Sequence, residues 1–162
     1  MTDSAQGLVP AGVPDGSSTG SVEPFRASVT KPGIDLGIVM RNPTEMLVFY
    51  RDVLGLDHFL SQPMPLGLGG TMHRVRCGDS VLKLVDLAVK PEKHDATGGM
   101  NGATGLRYLT FFVTDMDEIL GRAAAAGHAI PIKRTTARPG VDIAMIADPD
   151  GNWVEIGQTY EV

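Results

Sequence analysis

Between residues 34 and 160 the chain alternates between two hydrophobic rhythms, and the change of rhythm marks its elements. Ile34-Asp35-Leu36-Gly37-Ile38-Val39-Met40 is short, apolar and β-branched, as a strand requires. Asn42, Pro43 and Glu45 then form a helix start, with Asn42 and Glu45 spaced as in a capping box. Met46, Phe49, Tyr50 and Val53 recur at helical spacing, and Gly55 supplies a left-handed stop. The plan then repeats. Leu106 to Val113 is a strand, Asp115 and Glu118 are a second capping pair, and Met116, Ile119, Leu120 and Ala123 form the apolar stripe of a helix closed by Gly127. A hairpin follows each helix: Met72–Arg76 with Val81–Val85 around Cys77-Gly78-Asp79-Ser80, and Ile143–Ala147 with Trp153–Gly157 around Asp148-Pro149-Asp150-Gly151. The chain therefore reads strand, helix, hairpin, twice over, as two modules rather than an array.

Composition bounds the rest. The 162 residues are 43% hydrophobic and 20% charged, with mean hydropathy near zero, which suits one globular domain. Residues 1–31 are rich in Gly, Pro, Ser and Thr without periodicity, so they read as a mobile tail that cannot bury enough apolar area to offset its ordering entropy. A docked arm through Phe25 is the alternative. The domain is expected over 32–162, with module one at 34–95, a Gly-rich linker at 96–105 and module two at 106–160. The linker lacks the Lys-Ser/Thr pair of a phosphate-binding loop. A net charge of −5 argues against nucleic acid, and no apolar run is long enough to cross a bilayer. A single cysteine, Cys77, excludes an internal disulfide, and the start of the chain has no basic-then-apolar leader. The expected compartment is reducing cytoplasm.

Strand parity assigns faces, because residues two apart point the same way. With Gly78-Asp79 as a two-residue turn, Arg74 lies across from Lys83 and Arg76 across from Val81. Asp35, Gly37 and Val39 share a face, as do Tyr108, Thr110 and Phe112, and Trp153, Glu155 and Gly157. The opposite faces carry Leu36, Ile38, Val75, Leu82, Leu84, Leu109, Phe111, Val113, Val154 and Ile156, which a helix-covered core requires.

Phe49-Tyr50-Arg51-Asp52-Val53-Leu54-Gly55-Leu56 and Asp148-Pro149-Asp150-Gly151-Asn152-Trp153-Val154-Glu155-Ile156 resemble two motifs of the vicinal oxygen chelate superfamily, which includes glyoxalase I, bleomycin-resistance proteins and extradiol dioxygenases. The resemblance spans about residues 34–160. It implies an α+β fold of two βαβββ modules, whose curled mixed sheets surround a cavity and carry the helices outside. It also implies that metal-using members draw one ligand from the first and last strand of each module. Those positions are Asp35, Lys83, Tyr108 and Glu155 here, and only Glu155 matches the usual His, Gln or Glu. An ammonium group has no lone pair for a metal, and a phenol is a poor ligand near neutrality. No cofactor is therefore expected and a divalent metal is disfavoured; were one bound, Glu155 and Asp35 would be its ligands. His58, His73, His94 and His128 are scattered in sequence and read as surface or loop residues.

The cavity wall expected from these residues holds Arg74, Arg76, Lys83, Asp35, Glu155, Thr110 and the rings of Tyr108, Phe112 and Trp153. Such a mixture suits a small organic molecule. One reading is a metal-independent isomerase, lyase or cyclisation enzyme. In it Lys83 stabilises an oxyanion, Glu155 or Asp35 moves a proton, and Tyr108 donates one. A second is a non-catalytic binding protein of the bleomycin-resistance kind, with Trp153, Phe112 and Tyr108 stacking on the ligand, Arg74, Arg76 and Thr110 as further contacts, and the cavity charges setting selectivity only. A third makes Lys83, Glu155 and Asp35 an ion-pair network in place of a lost metal. A homodimer is expected, as in many members of the superfamily.

Overall fold

The structure, a computed structural model, describes residues 26–65, 67–93 and 99–161. The expected tail up to residue 25, its Phe25 anchor, His94 and linker residues 96–98 lie outside them. The chain divides into two units, Met1–Thr30 and Lys31–Val162. The larger unit carries every element of the described residues.

Two four-stranded mixed sheets make up that unit. Module one runs β1 (Asp35–Val39), α1 (Pro43–Val48, continued as a π-helical turn over Phe49–Val53), β2 (Asp57–Pro63), β3 (Gly70–Cys77) and β4 (Ser80–Leu87). Module two runs β5 (Tyr108–Phe112), α2 (Met116–Ala125), β6 (Ile132–Arg138), β7 (Val141–Ala147) and β8 (Trp153–Thr159). The sheet orders are β1-β4-β3-β2 and β5-β8-β7-β6, with β1 parallel to β4 and β5 parallel to β8. This is the expected βαβββ plan, twice. The hairpin register also agrees: Cys77 pairs Ser80, Arg76 pairs Val81 and Arg74 pairs Lys83.

The strand faces under the helices form the core. Val75, Leu82, Leu84, Phe111, Val154 and Ile156 are buried there, and Leu36, Ile38, Leu109 and Val113 pack against them. From α1 and its π-helical turn come Met46, Phe49, Tyr50 and Val53; from α2 come Met116, Ile119 and Ala123. The wider π turn, with the Leu54 amide on the Phe49 carbonyl, buries Phe49 and Tyr50 side by side.

Local expectations fail at both helix starts. Asn42 and Asp115 occupy the N-cap positions, but neither side chain caps its helix. Asn42 turns its amide to Asp150 at 2.7 Å, and the Met116 amide is taken by Gln158 at 3.1 Å. Tertiary partners thus replace the local capping box. The linker is also not wholly free. Gly99–Asn101 forms a 3₁₀ turn, Gly99 is buried, and its carbonyl accepts a 2.9 Å hydrogen bond from Arg107. A Cβ at Gly99 would fall 2.2 Å from the Trp153 indole, so only glycine lets this turn lie against that ring.

Candidate functional site

The two sequence motifs meet in space through Tyr50 and Asp148. The buried Tyr50 hydroxyl donates to Asp148 Oδ2 at 3.1 Å. The other Asp148 oxygen accepts the amides of Asp150 and Asn152, at 3.0 and 2.8 Å, and the Asn152 side chain donates to Oδ2 at 2.8 Å. Burial pushes the Asp148 carboxyl up while these donors pull it down. Asp150 meanwhile accepts the amides of Arg41 and Asn42 at 2.7 and 3.1 Å. The hairpin turn of module two is therefore bolted to the start and middle of the helix of module one.

The other sheet face, away from the helices, holds the predicted site residues. On module one, Asp35, Lys83, Arg74 and Arg76 share this face by register. Lys83 Nζ is 3.0 Å from Asp35 Oδ2, and Lys31 binds the other oxygen of the same carboxylate. The two ammonium groups, Lys31 first, hold the Asp35 carboxyl down at about 2. Arg76 lies 3.6 Å from Asp57 and 4.6 Å over the ring of Phe59. Arg74 has no such partner among the described residues, and its Nε is buried without a hydrogen bond.

On module two, Thr110 donates to Glu155 Oε2 at 2.8 Å. The Phe112 ring lies against Gly157, where a Cβ would come within 2.7 Å of it. Tyr108 and Phe112 are 45% and 55% exposed, high values for large aromatic side chains on a sheet. The expected three-residue ion network does not form: Asp35 joins Lys83, whereas Glu155 joins Thr110. Among the described residues the hydrogen bonds and ion pairs of these groups stay within their own module.

A cavity of about 360 Å³ opens along β1 and the start of β5. It is lined by Leu36 to Arg41, Pro91, Lys93, Leu106 to Leu109, Asp150, Asn152 and Trp153. Of the predicted site residues only Tyr108 and Trp153 reach it. Parity had not pointed to it because β1 and β5 line it as sheet edges, which alternation does not reveal. Its size suits a small organic molecule.

The four equivalent strand positions do not fit a divalent ion. One is an ammonium group, already bound to the carboxylate that would have to coordinate. Among the described residues no three His, Cys, Asp or Glu side chains gather as a metal would need.

The expectation of scattered histidines fails at one place. His58 Nε2 and His73 Nδ1 converge on Ser61 Oγ at 3.0 and 2.8 Å, on the helix-side face of module one. A β-bulge between His58 and Leu60 makes this possible by restoring Ser61 to the face of His58. The His128 ring packs on Phe49, 4.8 Å between centroids.

Residues 35–156 match the model of the glyoxalase/bleomycin resistance protein/dioxygenase superfamily. The chain belongs to that superfamily. No curated protein matches it, but many solved structures share its fold. A glyoxalase family protein from Bacillus cereus is 17% identical with a TM-score of 0.71, over 86% of this chain and 100% of that one. Lactoylglutathione lyase from Agrobacterium tumefaciens is 26% identical with a TM-score of 0.53, over 84% and 96%. TnmS3, an antibiotic-binding protein from Streptomyces sp. CB03234, is 22% identical with a TM-score of 0.59, over 83% and 100%. One fold thus carries both an enzyme and a binding protein, and the side chains of the site must decide between them.

Proposed function

We propose that this chain binds a small organic molecule with a flat, unsaturated body, holding it by ring contacts and fixed charge without metal coordination. The carrying observation is the half-exposed pair Tyr108 and Phe112 on one face of β5, with the Thr110–Glu155 pair beside them. Covering about 100 Å² on each ring would contribute roughly 2.5 kcal/mol per ring. The charged groups favour retention over turnover. Asp35, held near 2, is far too weak a base for proton transfer at neutral pH, and Lys83 already has a counter-ion. Antibiotic binding by TnmS3 supports this reading by analogy of fold.

A second reading, a metal-independent isomerase or lyase, rests on Glu155. Thr110 fixes Oε2, and among the described residues Oε1 is left for a ligand proton. Tyr108 would be the acid. We also infer a homodimer, supported by apolar Val39 and Leu60, which stay exposed on the face away from the helices. A reducing cytoplasm suits Cys77, a free thiol that burial pushes up and so makes unreactive.

Calorimetry on chelator-treated protein tests the main reading, with 2-naphthamide as a neutral flat probe. Saturable binding weakened by Tyr108→Ala and Phe112→Ala is expected, with graded loss in Lys83→Met and Glu155→Gln. Binding indifferent to both ring deletions overturns it. The second reading requires turnover that Glu155→Gln lowers by orders of magnitude while affinity survives.

A further inference from the structure

Three cations stand on the same face of module one, and two have their charge answered. Lys83 has Asp35 at 3.0 Å; Arg76 has Asp57 at 3.6 Å and the Phe59 ring beneath it. Arg74 has neither a carboxylate nor a ring among the described residues. It sits directly across from Lys83 on β4 and from Leu60 on β2. Two like charges facing across a ladder destabilise it, and Asp35 relieves only one of them. The Nε of Arg74 is moreover buried with no acceptor, and leaving a buried donor unsatisfied is costly. A planar guanidinium with unpaired charge is half of a two-point oxyanion site, since its two terminal nitrogens present paired donors.

We propose that Arg74 anchors a carboxylate, or a comparable two-oxygen anion, on the molecule this wall takes up; the inference rests on the ligand-binding reading above. The anion would accept from the terminal nitrogens of Arg74, which are not buried as Nε is, and relieve the Arg74–Lys83 repulsion at once. The chain's net charge of −5 opposes an anion only at long range, and screening over about 8 Å at physiological salt removes most of that opposition. The preferred ligand is therefore a flat organic acid rather than its neutral or cationic relative.

Calorimetry with 2-naphthoate and its neutral isostere 2-naphthamide tests this on the full chain. The intact protein binds the acid about tenfold more tightly than the amide, equivalent to about 1.4 kcal/mol. Arg74→Met removes that preference, weakening the acid far more than the amide. Arg74→Lys, which keeps the charge but loses the fork, retains part of it and guards against a folding artefact. Equal binding of acid and amide by the intact protein overturns the proposal and leaves the ligand-binding reading standing. A preference for the acid that survives in Arg74→Met overturns it as well. Failure of both probes to bind overturns the ligand-binding reading and the proposal with it.

Discussion

Replacing Tyr50 by Phe removes one hydroxyl and should measurably loosen the joint between the modules. That hydroxyl donates to Asp148 Oδ2 at 3.1 Å, and both residues are buried. A hydrogen bond to a charged acceptor contributes about 1.5–3 kcal/mol net. The bond is at the long end for two oxygens, and Asp148 keeps three other donors, so the lower part of that range applies. The expected loss is about 1.5–2 kcal/mol, or roughly 6–8 °C in Tm for a folded unit of this size. Its pH dependence is specific. Burial raises the Asp148 carboxyl above its ordinary 3.8, and the Tyr50 bond is one of the groups that restrain the rise. For a raised carboxyl, the folded state is favoured while the acid is protonated and pays as it ionises, so stability falls as pH climbs through the folded value. Tyr50→Phe raises that value further. The deficit relative to the unaltered protein is therefore largest near neutrality and shrinks towards about pH 4. Urea denaturation of both proteins at several pH values measures it. A deficit below about 0.5 kcal/mol, or one that does not change with pH, refutes the assignment of Asp148 as an ionised hub.

Gly157→Ala would put a Cβ within 2.7 Å of the Phe112 ring, which can swing outward because it is half exposed; denaturation should show a cost under about 1 kcal/mol, while affinity for flat probes falls severalfold. Gly99→Ala meets the Trp153 indole at 2.2 Å from a backbone with φ of +59°, and both force the turn off the ring. Because Trp153 is the chain's one tryptophan, its emission should shift to longer wavelength in that variant. His73 is held below its ordinary 6.5, first by burial and then by the charge of His58, with Asp86 opposing. A lowered base contributes stability that is present above about 6.5 and lost as pH falls through the folded value. His73→Gln, whose amide can still bond Ser61, should flatten stability between about pH 7 and pH 5, and an unchanged slope in thermal melts would contradict this.

Much of the architecture was legible because the core strands obey simple parity. Val75, Leu82, Leu84, Val154 and Ile156 lie where alternation puts them, and the two-residue turn at Gly78-Asp79 fixed the Arg74–Lys83 register. The strands that periodicity missed, β2 and β6, each lie at one edge of a sheet. In β2 a bulge after His58 breaks the alternation. In β6 every residue after Ile132 is exposed, and the strand is held instead by Arg134 and Thr136 on Asp142, each at 2.8 Å. Helix capping was misread because Asp150 and Gln158 sit far from it in sequence, and local spacing carries no trace of them. The motif residues Tyr50 and Asp148 signalled the fold so well for a physical reason: they join the modules. For the site, parity correctly grouped side chains by face. It did not reveal that Asp35 is shared by two lysines, that Arg74 has no partner among the described residues, or that the edges of β1 and β5 border a cavity.

The function proposed for this protein requires that the face bearing fixed charges and exposed rings take up ligand without a metal. Two-dimensional amide NMR of the labelled chain answers this directly, with 2-naphthoate added in the presence and absence of a chelator. The account predicts that shifts gather on Lys83, Arg74, Tyr108, Thr110 and Glu155, spare the Ser61–His73 face, and are the same with chelator present. Shifts that spread elsewhere, or that require added divalent metal, would contradict it.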